Sequence, residues 1–181
     1  MSLPYQIIEN YRVFDWRLTC SYLNEKGKEL HGPKFHLRRE DWPVLRKLII
    51  YHVGDQELCA AAGIDLEKGI LLTGPIGCGK TTLMQLFQIL SYKHQRYRVI
   101  PTRKIAYEFQ AEGYQVIHKY AQTIAPICLD DLGLEQNIKH FGNDYKTKAE
   151  ILLQRYELYR SEGILTHATT NLTSKKKKKL Y

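Results

Sequence analysis

Apolar and polar positions change their period along this chain, and the changes mark its elements. Between positions 14 and 22 the apolar residues Phe14, Trp16, Leu18, Cys20 and Tyr22 alternate with Asp15, Arg17, Thr19 and Ser21. A period of two predicts a half-buried strand, followed by a turn at 24–27; a helix using Tyr11, Phe14, Leu18 and Tyr22 is the alternative. Asp41 is placed to cap a helix with Pro43 in its first turn and Leu45, Leu48, Ile49 and His52 on one face, ended by Gly54. A short helix over 56–62 would stop at Gly63.

From Lys68 onward apolar runs of strand length alternate with helical patterns. Strands are expected over 69–73, 98–101, 125–130 and 164–169. The helix after the first strand shows Leu83, Leu86, Phe87 and Leu90 on one face, and Thr102 can cap the next one through Glu112. Further helices are expected over 114–120 and 144–161, the last with Ala149, Leu152, Leu153, Tyr156 and Tyr159 inward and closed by Gly163. Strands separated by such helices require right-handed crossovers, hence a parallel sheet with helices on both faces. The expected class is α/β, divided into an N-terminal extension (1–37), a core (38–174) and a C-terminal tail (175–181).

Composition adds limits. The 181 residues are 44% hydrophobic and 25% charged, ordinary for a globular domain, which excludes disordered or collagen-like chains. The net charge of +8 favours an anionic partner, yet five lysines at 175–179 supply most of it and +3 remains without them. That run is either a DNA-binding tail, a solvated charged end, or a terminus altered by truncation or frame slip. Cys20, Cys59, Cys78 and Cys128 form no C-x-x-C pair, so free thiols are expected rather than a zinc site or disulfides. No apolar run is long enough to span a bilayer and no signal peptide opens the chain, so no membrane association and a cytoplasmic location are expected.

The chemistry begins after the first core strand. Gly74, Pro75, Ile76, Gly77, Cys78, Gly79, Lys80 and Thr81 fill G-x-x-x-x-G-K-[ST] at every position, and Thr82 follows. Glycines let backbone N–H groups wrap a polyphosphate and deliver it to a helix N-terminus; Lys80 reaches the β/γ oxygens and Thr81 is placed to ligate Mg²⁺. Cys78 lies in this loop, either as a small side chain filling its place or as a redox-sensitive one. The third strand ends in Asp130 and Asp131, at the edge where a parallel sheet collects ligands. Asp130 would hold Mg²⁺ and Asp131 would polarise the attacking water; an ordinary Asp-Asp turn is the alternative. Asn171, following Thr169 and Thr170 at the end of the fourth strand, is the candidate to orient that water. Tyr51 and His52 are candidates for contact with adenine.

These motifs now carry a resemblance. Residues 74–82, the Cys128-Leu129-Asp130-Asp131 run through Glu135, and His167 to Leu172 resemble AAA+ ATPases of the DnaC helicase-loader group. Arg155-Tyr156-Glu157 is also similar to IstB-type transposition helpers. The resemblance spans about 35–174. It implies sheet order 5-1-4-3-2, ATP and Mg²⁺, a catalytic acid at Asp131, a sensor residue at Asn171, and homo-oligomerisation. Single-stranded DNA, a replicative helicase or a transposase would be the partner. Many such proteins carry Glu where Asp131 stands. The chain stops at Tyr181, about where a Tyr-Gly-x-Arg box would open, so strand five and an arginine finger are expected to be absent and hydrolysis slow. Two other functions remain open: a non-hydrolysing nucleotide switch, and a small-molecule P-loop kinase.

Overall fold

The computed structural model describes residues 3–133 and 142–172. The lysines at 175–179 and Glu135 lie outside the described residues. The rest falls into two compact units, one within Met1–Leu66 and Gln85–Tyr92, the other within Glu67–Met84 and Lys93–Tyr181.

The first unit opens with an antiparallel hairpin of β1 (Tyr5–Ile8) and β2 (Tyr11–Phe14). Glu9 and Asn10 take positive φ (48° and 69°), the left-handed pair that matches a two-residue turn to the twist of its strands. Tyr5 and Phe14 face each other at 5.1 Å, and the Arg12 guanidinium lies 4.8 Å from the Tyr5 ring and 4.4 Å from the Tyr92 ring. The strand expected over 14–22 is not there. Phe14 ends β2, Asp15 Oδ1 accepts the Leu18 amide at 2.8 Å, and helix α1 runs from Trp16 to His31. A capping aspartate wins over the alternating pattern, because the buried residues of α1, Thr19, Leu23 and Gly27, follow the four-residue period. The expected turn at 24–27 is helical too, supported by the ion pairs Lys26–Glu29 and Lys28–Glu25.

Helix α2 (Trp42–Val53) buries Leu45, Leu48, Ile49 and His52, with Pro43 in its first turn, as the sequence pattern implies, and buries Ile50 as well. Asp41 occupies the cap position without making a side-chain cap bond, since it belongs to a preceding 3₁₀ turn (Arg39–Asp41). Helix α3 (Gln56–Ala61) is capped by Asp55, whose Oδ1 accepts the Leu58 amide at 2.8 Å.

The second unit holds β3 (Leu71–Thr73), α4 (Lys80–Phe87, continuing into the first unit), β4 (Arg98–Pro101), α5 (Thr102–Glu112), α6 (Gln115–Ala121), β5 (Ile127–Asp130), α7 (Gly142–Glu162) and β6 (Thr166–Thr170). The four strands form a parallel sheet in the order β3-β6-β5-β4. Counted from the phosphate-loop strand this is 1-4-3-2, as the resemblance implied for those four.

Side-chain parity places the helices. Ile127 and Leu129 of β5, Ile100 of β4 and Ala168 of β6 pack with Ile105, Val116, Ile117 and Ile151 of α5, α6 and α7. Cys128 points the other way, into a cluster with Met84 of α4, Tyr97, Leu72 and Val99. Helices therefore cover both faces of the sheet.

The inward face of α7 meets expectation at Leu152, which packs against the core, and differs from it elsewhere. Thr147, Lys148, Ile151 and Arg155 are buried, whereas Leu153 and Tyr156 stand 62% and 58% exposed. Arg155 sets this rotation: Nε donates to Thr166 Oγ1 at 2.9 Å, and the two terminal nitrogens donate to the carbonyls of Thr123, Ala125 and Leu165. One guanidinium thus holds the segments that lead into β5 and β6. Its burial lowers its pKa to about 10. Thr102 is likewise not the cap of α5 but its first residue, with its hydroxyl engaged elsewhere.

Candidate functional site

The phosphate-loop residues connect β3 to α4. Gly77 and Gly79 hold φ of 80° and 85°, the left-handed region that turns successive N–H groups to one side of a loop. A Cβ at Gly74 would lie 2.9 Å from Cys78 Sγ, so a side chain there would push the thiol aside. The Gly74 amide donates to the Thr170 carbonyl at 3.2 Å, tying the start of the loop to the end of β6. Lys80 is buried and curls back along the loop, its Nζ donating to the carbonyls of Gly74 (3.1 Å) and Pro75 (2.9 Å). Ile76 and Cys78 are exposed at the rim.

Sheet geometry dictates what meets this loop. Asp130 shares the Cys128 face of β5, the face that α4 covers with Met84; Thr81 lies three residues before Met84, one helical turn back toward the strand ends. The Thr81 hydroxyl accordingly donates to Asp130, 2.9 Å from both carboxylate oxygens. The β5–β6 register, with Leu129 opposite Ala168, brings Thr169 beside Asp130. Thr169 Oγ1 donates to Asp130 Oδ1 at 2.7 Å and accepts the Asp131 amide at 2.8 Å. Beneath them the Cys128 thiol is pushed up in pKa by burial and by the Asp130 charge, which leaves it unreactive.

Asp131 opens the turn after β5 with φ of 58°, unusual outside glycine and tolerated by aspartate. Its carbonyl accepts the Thr102 hydroxyl at 3.0 Å. The Leu132 amide donates to the Thr169 carbonyl at 2.8 Å and the Thr170 hydroxyl to the Leu132 carbonyl at 2.6 Å. The acid-bearing turn is thus stitched to β6 at consecutive residues. Asn171 follows β6 directly, and its Oδ1 is buried with no hydrogen-bond partner among the described residues. A buried acceptor without a donor among the described residues is a place where a bound group could donate.

The predicted residues therefore converge in part. Thr81 and Asp130 meet side chain to side chain, Asp131 joins them through its main-chain amide on Thr169, and Lys80 bonds carbonyls of the loop, which is itself bonded to the residue before Asn171. Asn171 itself makes no side-chain bond to that network among the described residues. Tyr51 and His52 sit in the first unit. His52 is buried, its Nδ1 donating to the Leu48 carbonyl at 2.7 Å, and burial depresses its pKa to about 4; it has no open face for a base.

Thr169, Thr102 and Thr170 were given no role in the site by sequence. The available signal was polar side chains on a strand whose neighbours are buried; His167 and Thr169 alternate on one face of β6 and both are buried. Among the described residues no cluster of three or more His, Cys, Asp or Glu could hold a metal. Thr81 and Asp130 are hard oxygen donors, and two such ligands suit Mg²⁺, which keeps its other positions for phosphate and water.

The chain has a P-loop NTPase fold. The glycine loop, the helix it feeds, the acid strand and the strand inserted between them are all in place.

No family model matches the sequence. It is 33% identical over 100 residues to the dephospho-CoA kinase of Aquifex aeolicus, a match covering 55% of this chain and 44% of that protein. Among solved structures it is similar to a protein described as a primosome component of Streptococcus pyogenes serotype M3 (19% identity, 75% of this chain and 64% of that one, TM-score 0.49). It is also similar to a DNA replication initiation factor (16%, 77% and 40%, TM-score 0.47) and to the FIGL-1 AAA domain (17%, 74% and 46%, TM-score 0.49). The chain spans less than two thirds of each of these proteins. Its P-loop fold is carried by its own strand order and loop, not by these likenesses. No helix among the described residues is long and apolar enough to cross a membrane.

Proposed function

We propose that this chain is an ATP-binding AAA+ ATPase of DNA metabolism, of the helicase-loader or transposition-helper type. In this reading it works in the cytoplasm as a homo-oligomer, on single-stranded DNA, a replicative helicase or a transposase. The observation that carries the nucleotide chemistry is the meeting of Thr81 with Asp130, with the orphaned Asn171 oxygen at the end of the neighbouring strand. The resemblance of the site motifs to helicase loaders supports the cellular role.

Each residue then has a task. Lys80 exchanges the carbonyls of Gly74 and Pro75 for β- and γ-phosphate oxygens, and the loop amides from Gly74 to Thr82 cradle the chain of phosphates. Thr81 and Asp130 would hold Mg²⁺, which when bound neutralises charge on the phosphates. Asp131 polarises the attacking water, and Asn171 orients it.

The test is ATP affinity and turnover with and without single-stranded DNA, with Lys80→Ala as control. We expect Lys80→Ala to abolish binding and single-stranded DNA to change the turnover of the wild type. Tight ATP binding with no turnover under either condition replaces the ATPase with a nucleotide-gated switch.

The similarity to dephospho-CoA kinase favours a second reading, a small-molecule kinase. Transfer of the γ-phosphate to dephospho-CoA, with no release to water, would establish it in place of the first.

A further inference from the structure

We propose that Thr169 is a positioning residue that joins the Asp130 carboxylate to the Asp131 main chain, so that cation engagement at one acid and placement of the other are a single event. The inference rests on the ATPase reading and adds a residue that it does not use.

A threonine hydroxyl has one proton to donate and lone pairs to accept. Here both directions are determined by the partners. The Asp131 amide only donates, so it gives its proton to Thr169 Oγ1 at 2.8 Å. An ionised carboxylate only accepts, so the Thr169 proton goes to Asp130 Oδ1 at 2.7 Å. The side chain is fully buried, and no solvent competes for either bond.

The bond matters because of the backbone that it holds. Asp131 is in the left-handed region at φ 58°, a conformation that persists in a non-glycine residue when its surroundings over-determine it. Thr169 fixes the peptides on both sides of Asp131, its hydroxyl accepting the Asp131 amide and its carbonyl the Leu132 amide at 2.8 Å. These peptides flank the Cα from which the Asp131 carboxylate projects. A cation held at Thr81 and Asp130 would draw on the carboxylate that orients the Thr169 hydroxyl, so occupancy there would be felt at Asp131.

A purely packing role makes the opposite prediction about substitutions. Thr169→Val keeps the volume and β-branch but removes the hydroxyl; Thr169→Ser keeps the hydroxyl and loses the methyl. The full chain is compared as wild type, Lys80→Ala, Thr169→Val and Thr169→Ser. Three readouts are taken: affinity for a fluorescent ATP analogue with Mg²⁺, phosphate release in a single turnover with protein in excess, and deuterium uptake by the nucleotide-free segment 129–133.

We expect Thr169→Val to bind the analogue within about threefold of wild type. Its single-turnover rate should fall about a hundredfold, the scale of a small misplacement of a reacting group. Exchange at 129–133 should quicken, and Thr169→Ser should restore both rate and protection. Wild-type rate or unchanged exchange in Thr169→Val overturns the proposal, as does a Thr169→Ser variant no better than Val. Should valine unfold the sheet, Thr169→Ser decides: loss of rate or protection there overturns the proposal. A wild type that binds the analogue and releases no phosphate overturns it too. A wild type that does not bind the analogue, or binds it as well without Lys80, overturns the ATPase reading itself and this inference with it.

Discussion

His52 is where a candidate ligand became a core residue. The sequence offers an imidazole beside a tyrosine on a helix that precedes the phosphate loop; burial turns it into a group whose charged form is expelled. Its pKa falls to about 4 in the folded chain against 6.5 for the free side chain. As the pH drops below 6.5 the unfolded chain takes up a proton that the native chain refuses, so stability is lost on acidification and unaffected above that range. Between pH 7 and pH 5 this amounts to about 2 kcal/mol. His52→Asn, which offers an amide donor near the place of Nδ1, removes that component. Urea midpoints at the two pH values check it: the wild type should lose more stability than the variant, whatever the variant's own cost at pH 7. Equal losses in the two proteins would show that His52 is not protonated on unfolding.

At the scale of elements, success and failure of sequence reasoning have one cause. The four core strands were legible because apolar runs bounded by loop residues have no other good use, and the glycine loop because its spacing is dictated by phosphate. Helix α1 was obscured by its own inward face, where Thr19 and Gly27 stand in positions that a pattern search reserves for apolar side chains. Gly27 is there because the Phe35 ring lies on its Cα; a Cβ would stand 2.0 Å from the Phe35 ring. Helix propensity alone predicts that Gly27→Ala stabilises α1 by about 1 kcal/mol. The packing reverses the sign, and we expect Gly27→Ala to destabilise the protein by about 1–3 kcal/mol in chemical denaturation.

The inward face of α7 is hidden for a similar reason, since a buried arginine, Arg155, stands on it. Its bonds to three carbonyls and the Thr166 hydroxyl could not be inferred without knowing which loops pass beside it. Arg155→Met should cost about 3 kcal/mol or more by leaving those carbonyls without their donor. Arg155→Lys should recover little, because one ammonium cannot replace a planar fork. A lysine variant that melts with the wild type would show that charge alone, not the fork, holds the segments. The threonine network at the site escaped notice on the same principle: Thr169 and Thr102 act only through a register and a turn that tertiary structure creates.

For the whole molecule the lesson concerns charge. Basic and acidic residues balance one for one within the first unit, so the entire +8 belongs to the second. There it divides between the core, at +3, and the five lysines at 175–179. The proposed affinity for single-stranded DNA can thus be apportioned by salt. Each ammonium that neutralises a phosphate releases a counterion, and for single strands the logarithm of affinity falls by about 0.7 per contact per decade of salt. If all five lysines engage, their replacement by glutamine should flatten that slope by about 3.5. Fluorescence anisotropy of a labelled oligonucleotide, titrated at several ionic strengths with both proteins, measures it. We expect the slope to flatten and the affinity at low salt to fall, while ATP binding, which rests on Lys80 and the phosphate loop, stays unchanged. A slope that survives the replacement would place the contact on the core, where the remaining charge is small and specific stacking or hydrogen bonding must do more of the holding.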